Sequence, residues 1–88
     1  APGYPACPEH SEKRKLFDLL KVEESGIQLT ENYAMYPVAS VCGYYFSHPD
    51  SQYFNVGRIS QDQVAAYASL KGITIAEVEK LLAQNVNY

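Results

Sequence analysis

The chain has no long apolar run, few cysteines and no excess of positive charge. No stretch reaches the about 18 apolar residues that a membrane-spanning helix needs, and the first residues lack the basic and apolar segments of a signal peptide. Seven Lys and Arg stand against ten Asp and Glu, which gives no basic face for nucleic acid. Two cysteines are fewer than a small secreted domain would use for disulfides. We therefore predict a cytoplasmic protein with reduced thiols that binds neither nucleic acid nor membrane.

Helix-like and strand-like segments follow one another in an order that predicts an α+β fold. Hydrophobic residues make up 47% of the 88 residues and charged residues 19%, as in one small globular domain. A helix is predicted over residues 11–24, because Leu16 and Phe17 begin an apolar face that Ser25-Gly26 ends. A short alternating segment follows at residues 27–30.

Strand composition dominates the middle of the chain. Residues 34–46 are small, β-branched or aromatic, with interruptions at Pro37 and Gly43. Residues 47–51 carry a turn signal, and residues 52–59 have the composition of a second strand. We therefore predict that the two segments form an antiparallel hairpin.

Two capping boxes predict the helices of the C-terminal third. Ser60 is followed three residues later by Gln63, and Thr74 is followed by Glu77 at the same spacing. The first of these helices should end at Gly72. The predicted buried faces are Val64, Tyr67 and Ala68 in the first helix and Val78, Leu81 and Leu82 in the second. The whole pattern predicts an antiparallel hairpin or small sheet packed against about three helices.

Two combinations of cysteine and histidine are candidates for chemistry, and each has a simpler interpretation. Cys7 and His10 are three residues apart, but zinc needs about four ligands, and neither Cys42 nor His48 belongs to a second paired motif. Cys42 with a histidine could imitate a thiolate–imidazole pair, yet it falls within the predicted strand 34–46. We interpret Cys42 as a packed small residue and the Cys7–His10 pair as incidental.

Tyrosines and an open N-terminal loop are the main signs of a binding surface. Five of the eight tyrosines lie between positions 33 and 53, and their rings suit either stacking on a flat ligand or an ordinary sheet face. In Ala1-Pro2-Gly3-Tyr4-Pro5, Gly3 would let a ligand approach the backbone closely, although most Pro/Gly turns bind nothing. Composition alone leaves both interpretations open.

A resemblance to a known family extends over essentially the whole chain. It is carried by Ala1-Pro2 with GYPACPEH at residues 3–10, Leu29-Thr30-Glu31, Ala34-Met35, Ser40-Val41, YFSHPDS at residues 45–51, residues 59–64 and Ala76-Glu77-Val78-Glu79. The sequence is similar to the activation domain of vitamin B12-dependent methionine synthase. The resemblance implies that residues 1–88 are the C-terminal part of that domain, a fragment of a larger twisted antiparallel sheet flanked by helices.

The resemblance also implies a function as part of a methyltransferase. The family transfers a methyl group from methyltetrahydrofolate to homocysteine through cobalamin. It restores inactive cobalamin with one electron, from flavodoxin in bacteria, and a methyl group from S-adenosylmethionine. The activation domain would bind S-adenosylmethionine and dock on the cobalamin-binding domain of the same chain, whereas zinc would belong only to the parent's homocysteine domain. The 88 residues alone are not expected to be catalytic.

Binding residues for S-adenosylmethionine follow from the same resemblance, in two segments. They are Ala1, Gly3 and Tyr4 in the N-terminal loop and Tyr53 and Phe54 on the second predicted strand. The family motif is an Arg, three residues and then Gly-Tyr, so that Arg should lie two residues before Ala1. Residues 34–40 match the family segment that approaches the corrin.

A standalone interaction or regulatory domain without ligand binding is the alternative interpretation, and the missing Arg favours it. An incomplete sheet would also have open edges, from which we predict self-association of the fragment. We expect Gly3-Tyr4 and Tyr53-Phe54 to lie together as two walls of one binding site for a sulfonium nucleoside.

Overall fold

Two capped helices form the C-terminal part of the protein in the computed structural model, which describes residues 1–88. Helix α2 spans Gln61–Lys71 and helix α3 spans Ile75–Leu81. Both predicted capping boxes are present. The backbone N–H of Ser60 donates to Gln63 Oε1 at 2.9 Å, and that of Thr74 donates to Glu77 Oε2 at 3.0 Å. These side chains satisfy N–H groups that a helix start otherwise leaves unpaired.

The main apolar core lies between these two helices. Its buried members are Val64, Ala68, Val78 and Leu82, with Ile59, Tyr67, Ile73 and Val86 packed around them. The predicted buried faces are therefore largely confirmed. The C-terminal residues pair here with the segment that precedes α2. The Ile59 N–H donates to the Asn85 carbonyl at 2.7 Å, and the Ile59 carbonyl accepts from the Asn87 N–H at 3.1 Å.

Helix α1 spans Glu12–Leu20 and buries Leu16 and Phe17. The prediction of one helix over residues 11–24 was too long. Lys21 adopts a left-handed conformation with φ 51°, and Val22–Ser25 form a 3-10 turn. A left-handed residue ends the regular hydrogen bonding of an α-helix, and this one lies four residues before the predicted stop.

The only sheet is a short antiparallel pair. Strand β1 is Gln28–Leu29 and strand β2 is Met35–Tyr36, with Gln28 opposite Tyr36 and Leu29 opposite Met35. The loop between the strands is closed by the Thr30 N–H, which donates to the Ala34 carbonyl at 2.8 Å. Three helices and this small antiparallel sheet confirm the α+β class.

The predicted hairpin between residues 34–46 and 52–59 was wrong. Strand β2 covers only the start of the first segment, and its partner is the preceding strand β1, not residues 52–59. Residues 41–47 and 51–58 form no strand ladder. Pro37 has no N–H to donate, which favours an early end to the strand. Tyr45, Phe46 and Tyr53 are exposed, so these segments bury no common face that would fix a register.

Candidate functional site

An aromatic cleft of about 350 Å³ lies where three chain segments meet. The N-terminal loop supplies one wall, residues 41–45 supply a second, and Tyr53 supplies the third. The lining residues are Ala1, Tyr4, Val41, Cys42, Gly43, Tyr44, Tyr45 and Tyr53. No charged side chain is among them, so ring faces and backbone groups dominate what this surface can offer to a ligand. We call it the aromatic cleft.

The N-terminal loop is held in a tight turn by its own backbone. The Gly3 N–H donates to the Cys7 carbonyl at 2.8 Å, and the Cys7 N–H donates to the Tyr4 carbonyl at 2.9 Å. Gly3 has φ +94°, a conformation that glycine adopts without steric cost. The turn leaves Tyr4 60% exposed at the edge of the cleft.

Two close contacts bring the other walls to this loop. The Val56 N–H donates to the Pro5 carbonyl at 2.9 Å, which places the segment after Tyr53 against the loop. Gly43 lies so close to Ala1 that a Cβ on it would sit 3.2 Å from the Ala1 Cβ. These two contacts hold the N-terminal loop against the segments that supply the other walls of the cleft.

The structure brings three of the five expected binding residues to one place. Ala1, Tyr4 and Tyr53 line the aromatic cleft together. Gly3 belongs to the same loop but borders a neighbouring polar cleft, and Phe54 lies outside both linings and is 63% exposed. Gly3-Tyr4 and Tyr53 are thus on the same side of the molecule, whereas their contact with a ligand stays a prediction.

Sequence reasoning missed the wall formed by residues 41–45. Cys42 was interpreted as a packed strand residue, yet it is half-buried and lines the cleft. The available signal was the pattern of small Cys42-Gly43 followed by Tyr44 and Tyr45, which places room for a ligand beside two rings. Without regular pairing in this segment, alternation of side chains could not show which of them face the loop.

A buried ionic cluster anchors the end of the N-terminal loop. The Glu9 carboxylate is almost fully buried and accepts hydrogen bonds from Lys71 Nζ, from Tyr67 Oη at 2.8 Å and from the Ser11 N–H at 2.6 Å. Lys71 Nζ also donates to Glu12 Oε1 at 2.7 Å. Because Lys71 ends α2 and Glu12 begins α1, the cluster joins the loop to both helices. We call it the Glu9 clamp.

The Glu9 clamp shifts the pKa values of its members. Burial acts to raise the pKa of Glu9, but the hydrogen bonds from Lys71, Ser11 and Tyr67 outweigh it, and the net pKa is lowered. Burial, followed by the bond to Glu9, raises the pKa of Tyr67 to about 12. The pKa of Lys71 is raised, since its bonds to Glu12 and Glu9 exceed the opposing effect of burial. All three groups therefore keep their usual charge states at neutral pH.

Cys7 and Cys42 are not joined by a disulfide, and both are half-buried. Burial, followed by the charge of Glu12, raises the pKa of Cys7, which disfavours the thiolate needed for nucleophilic or metal-binding chemistry. No three residues among His, Cys, Asp and Glu come together as a metal site.

Comparison with known proteins decides the family. The family described as "Vitamin B12 dependent methionine synthase, activation domain" matches residues 1–72. The chain belongs to this activation-domain family. One solved structure, the crystal structure of the MetH reactivation domain bound to AdoHcy, is 55% identical to the chain, with a TM-score of 0.96. The match covers 100% of this chain and 27% of the solved one. This chain therefore spans about a quarter of the length of the solved protein. In the present chain, no helix is both long and apolar enough to cross a membrane.

Proposed function

We propose that the chain supplies part of the S-adenosylmethionine-binding site of a methionine synthase reactivation domain, and so supports the reductive methylation of inactive cobalamin. The single observation that carries the proposal is that Ala1 and Tyr4 of the N-terminal loop share one aromatic cleft with Tyr53. The structural relative that covers the whole chain is bound to AdoHcy, the product left when S-adenosylmethionine loses its methyl group.

The chemistry of the cleft suits a sulfonium nucleoside. Tyrosine rings offer flat apolar faces for an adenine base, and the electron-rich face of a ring attracts a cation such as a sulfonium. The volume of about 350 Å³ lies in the range of small-molecule sites, which is about 300 to 1,000 Å³. Tyr4 and Tyr53 would hold the ligand between them, and the tight loop at Gly3 would fix their separation.

The amino-acid end of the ligand needs further groups. A carboxylate is best bound by a guanidinium in bidentate geometry, and no cationic side chain lines the cleft. The family resemblance assigns that role to an Arg two residues before Ala1. These 88 residues would therefore orient the nucleoside part, and the remaining domain would complete the site.

The turn after β2 would face the corrin of cobalamin. Val38 is 88% exposed, and the Ser40 N–H donates to the Pro37 carbonyl at 3.0 Å to close the turn. A small exposed apolar turn fits a flat macrocycle, which requires close contact with the backbone. Cobalamin would accept the methyl group that S-adenosylmethionine supplies, while this chain positions the two against each other.

Partners and location follow from the same proposal. The cobalamin-binding domain of the parent chain would dock on this face, and a flavodoxin-type reductant would supply the electron. The parent would act in the cytoplasm as a methyltransferase, and this chain alone would not be catalytic.

Calorimetry with S-adenosylhomocysteine tests the proposed binding site in the full-length protein. Tyr4→Ala and Tyr53→Ala should each weaken binding by about 5- to 100-fold, as expected for removing one base-stacking ring. Tyr88→Ala is the matched control, since Tyr88 is exposed and lies outside the cleft, and it should bind normally. Unchanged affinity in both cleft variants would contradict the assignment.

A standalone interaction domain is the second candidate function. It is favoured by the exposed apolar side chains at Tyr45 and Phe46, which could contact another protein. Under this candidate the wild-type protein would show no heat of binding with S-adenosylhomocysteine, which separates it from the first.

A further inference from the structure

His10 packs directly against the N-terminal loop at Gly3. A Cβ built on Gly3 would lie 2.6 Å from His10 Nδ1 and 2.9 Å from His10 Nε2, inside the contact distance of any side chain. The imidazole therefore occupies the space that a side chain at position 3 would need. His10 does not line the aromatic cleft. It borders the neighbouring polar cleft together with Gly3, Tyr4 and Pro5, so it supports the loop from a different side.

A buried lysine sets the position of this imidazole. Lys13, on α1, is only 8% exposed, and its Nζ lies 2.8 Å from the Tyr33 carbonyl and 2.9 Å from His10 Nδ1. An ammonium group can only donate, so Nδ1 must accept and the ring proton of neutral His10 must be on Nε2. The hydrogen bond exists only while the imidazole is neutral.

We propose that His10 is a positioning residue for the S-adenosylmethionine-binding loop: its neutral imidazole, held by Lys13, supports Gly3 and thereby keeps Tyr4 at the aromatic cleft. This inference rests on the function proposed above for that cleft. It adds a residue outside the cleft and a specific charge state of that residue.

The charges around His10 favour the neutral form. His10 is exposed as a whole, but the partial burial of its ring, followed by the Lys13 charge, lowers its pKa, while the neighbouring Glu9 carboxylate acts in the opposite direction. Glu9 is already bonded to Lys71, and Lys80 of α3 borders the same polar cleft. Protonation would place an imidazolium against the Lys13 ammonium and remove the acceptor on Nδ1. The ring would then leave Gly3, and the loop would lose its support.

The sign of the expected pH effect follows from this linkage. A histidine in a loosened loop has its ordinary pKa of about 6.5, whereas the supporting conformation lowers it. Affinity should therefore be full above about pH 6.5 and should decrease as the pH falls below it. A ring that served only as packing would give the same affinity at each pH at which the protein is folded.

Calorimetric titration of the full-length protein with S-adenosylhomocysteine, between about pH 7.5 and 5.5, tests the proposal. Wild-type affinity should fall by about tenfold, as it would if the competent loop population dropped to about one tenth. In His10→Gln an uncharged amide oxygen can still accept from Lys13. Its affinity should lie within about threefold of wild type at the upper pH, with no fall at the lower pH. His10→Ala should bind about tenfold more weakly at all pH values.

His48→Gln is the matched control, because His48 is the other histidine and lies outside both clefts. It should keep the wild-type pH dependence. A wild-type affinity that does not change with pH, a His10→Gln variant that keeps the wild-type pH dependence, or a His48→Gln variant that loses it would overturn the role of His10. Absence of S-adenosylhomocysteine binding by the wild type at every pH would overturn the proposed function, and this inference with it.

Discussion

At the scale of single residues, Gly3 meets two separate requirements. Its backbone has φ +94°, where an L side chain meets steric strain, and its missing side chain leaves room for the His10 ring. Gly57 meets only the first requirement, because its φ is +70° and a Cβ there would contact nothing within 4 Å. The two glycines therefore separate backbone strain from loss of space.

Gly3→Ala should destabilise the protein more than Gly57→Ala does. Strain in the left-handed region costs about 1 to 2 kcal/mol, and the first variant must also displace His10. Urea denaturation of both variants measures the difference, which should appear as a lower free energy of unfolding for Gly3→Ala. Equal losses of unfolding free energy in the two variants would mean that the contact between His10 and Gly3 does not contribute to stability.

At the scale of elements, the Glu9 clamp holds three pieces of chain in a fixed arrangement. Glu9 ends the N-terminal loop, Glu12 opens α1 and Lys71 closes α2. The side chains of Lys71 and Glu9 are 16% and 4% exposed, so removing Lys71 would leave the Glu9 carboxylate shielded from water without its cationic partner. The ionic cluster thereby connects the N-terminal loop, which lines the aromatic cleft, to α2.

Lys71→Met should therefore cost about 3 kcal/mol of unfolding free energy, the amount expected when one partner of a buried pair is lost. Lys15→Met is the control, since Lys15 is exposed on α1 and pairs with Glu12 at 3.7 Å only, and it should change stability by about 0.5 kcal/mol or less. Both values can be read from urea denaturation at neutral pH.

The interaction between Glu9 and Lys71 also predicts how the protein unfolds in acid. Because the folded protein lowers the pKa of Glu9, its stabilisation is present above the ordinary carboxyl range and is lost as the pH falls through the lowered value. In Lys71→Met burial would act without the lysine, so the loss should begin at higher pH. An acid midpoint identical to wild type would show that Lys71 does not govern Glu9.

At the scale of the whole molecule, the protein buries little of its apolar surface. Only nine of 88 residues are buried, while Tyr45, Phe46 and Tyr53 stand largely exposed on segments without strand pairing. Segments that lack a strand ladder can pair through their backbone with another strand. The solved relative, of which this chain covers 27%, has further chain that could meet this surface.

We expect the isolated 88-residue chain to form dimers or larger species in sedimentation experiments. Tyr45→Lys or Phe46→Lys should weaken the association by about tenfold, because each removes an exposed aromatic contact of about 1.4 kcal/mol. Leu70→Lys, at an exposed position on α2, should leave it unchanged. A monomer at all concentrations would refute this expectation.

Local signals in the sequence by themselves determined α2 and α3 and the family resemblance. The Ser60–Gln63 and Thr74–Glu77 capping boxes act within four residues, so their outcome does not depend on the rest of the fold. The motif at residues 3–10 carried the family resemblance from which the N-terminal loop is proposed to bind S-adenosylmethionine. Strand composition in residues 34–59 did not determine pairing, because a strand requires a partner that composition does not specify.

Only the tertiary structure decided what surrounds that loop. It brought residues 41–45 beside Ala1, placed Lys71 on Glu9 across about 60 positions of sequence, and set the His10 ring on Gly3. Contacts of this kind depend on how separate elements pack, and no spacing in the sequence encodes them. The proposed binding residues thus came from the family resemblance, whereas the walls and supports of the aromatic cleft followed from packing.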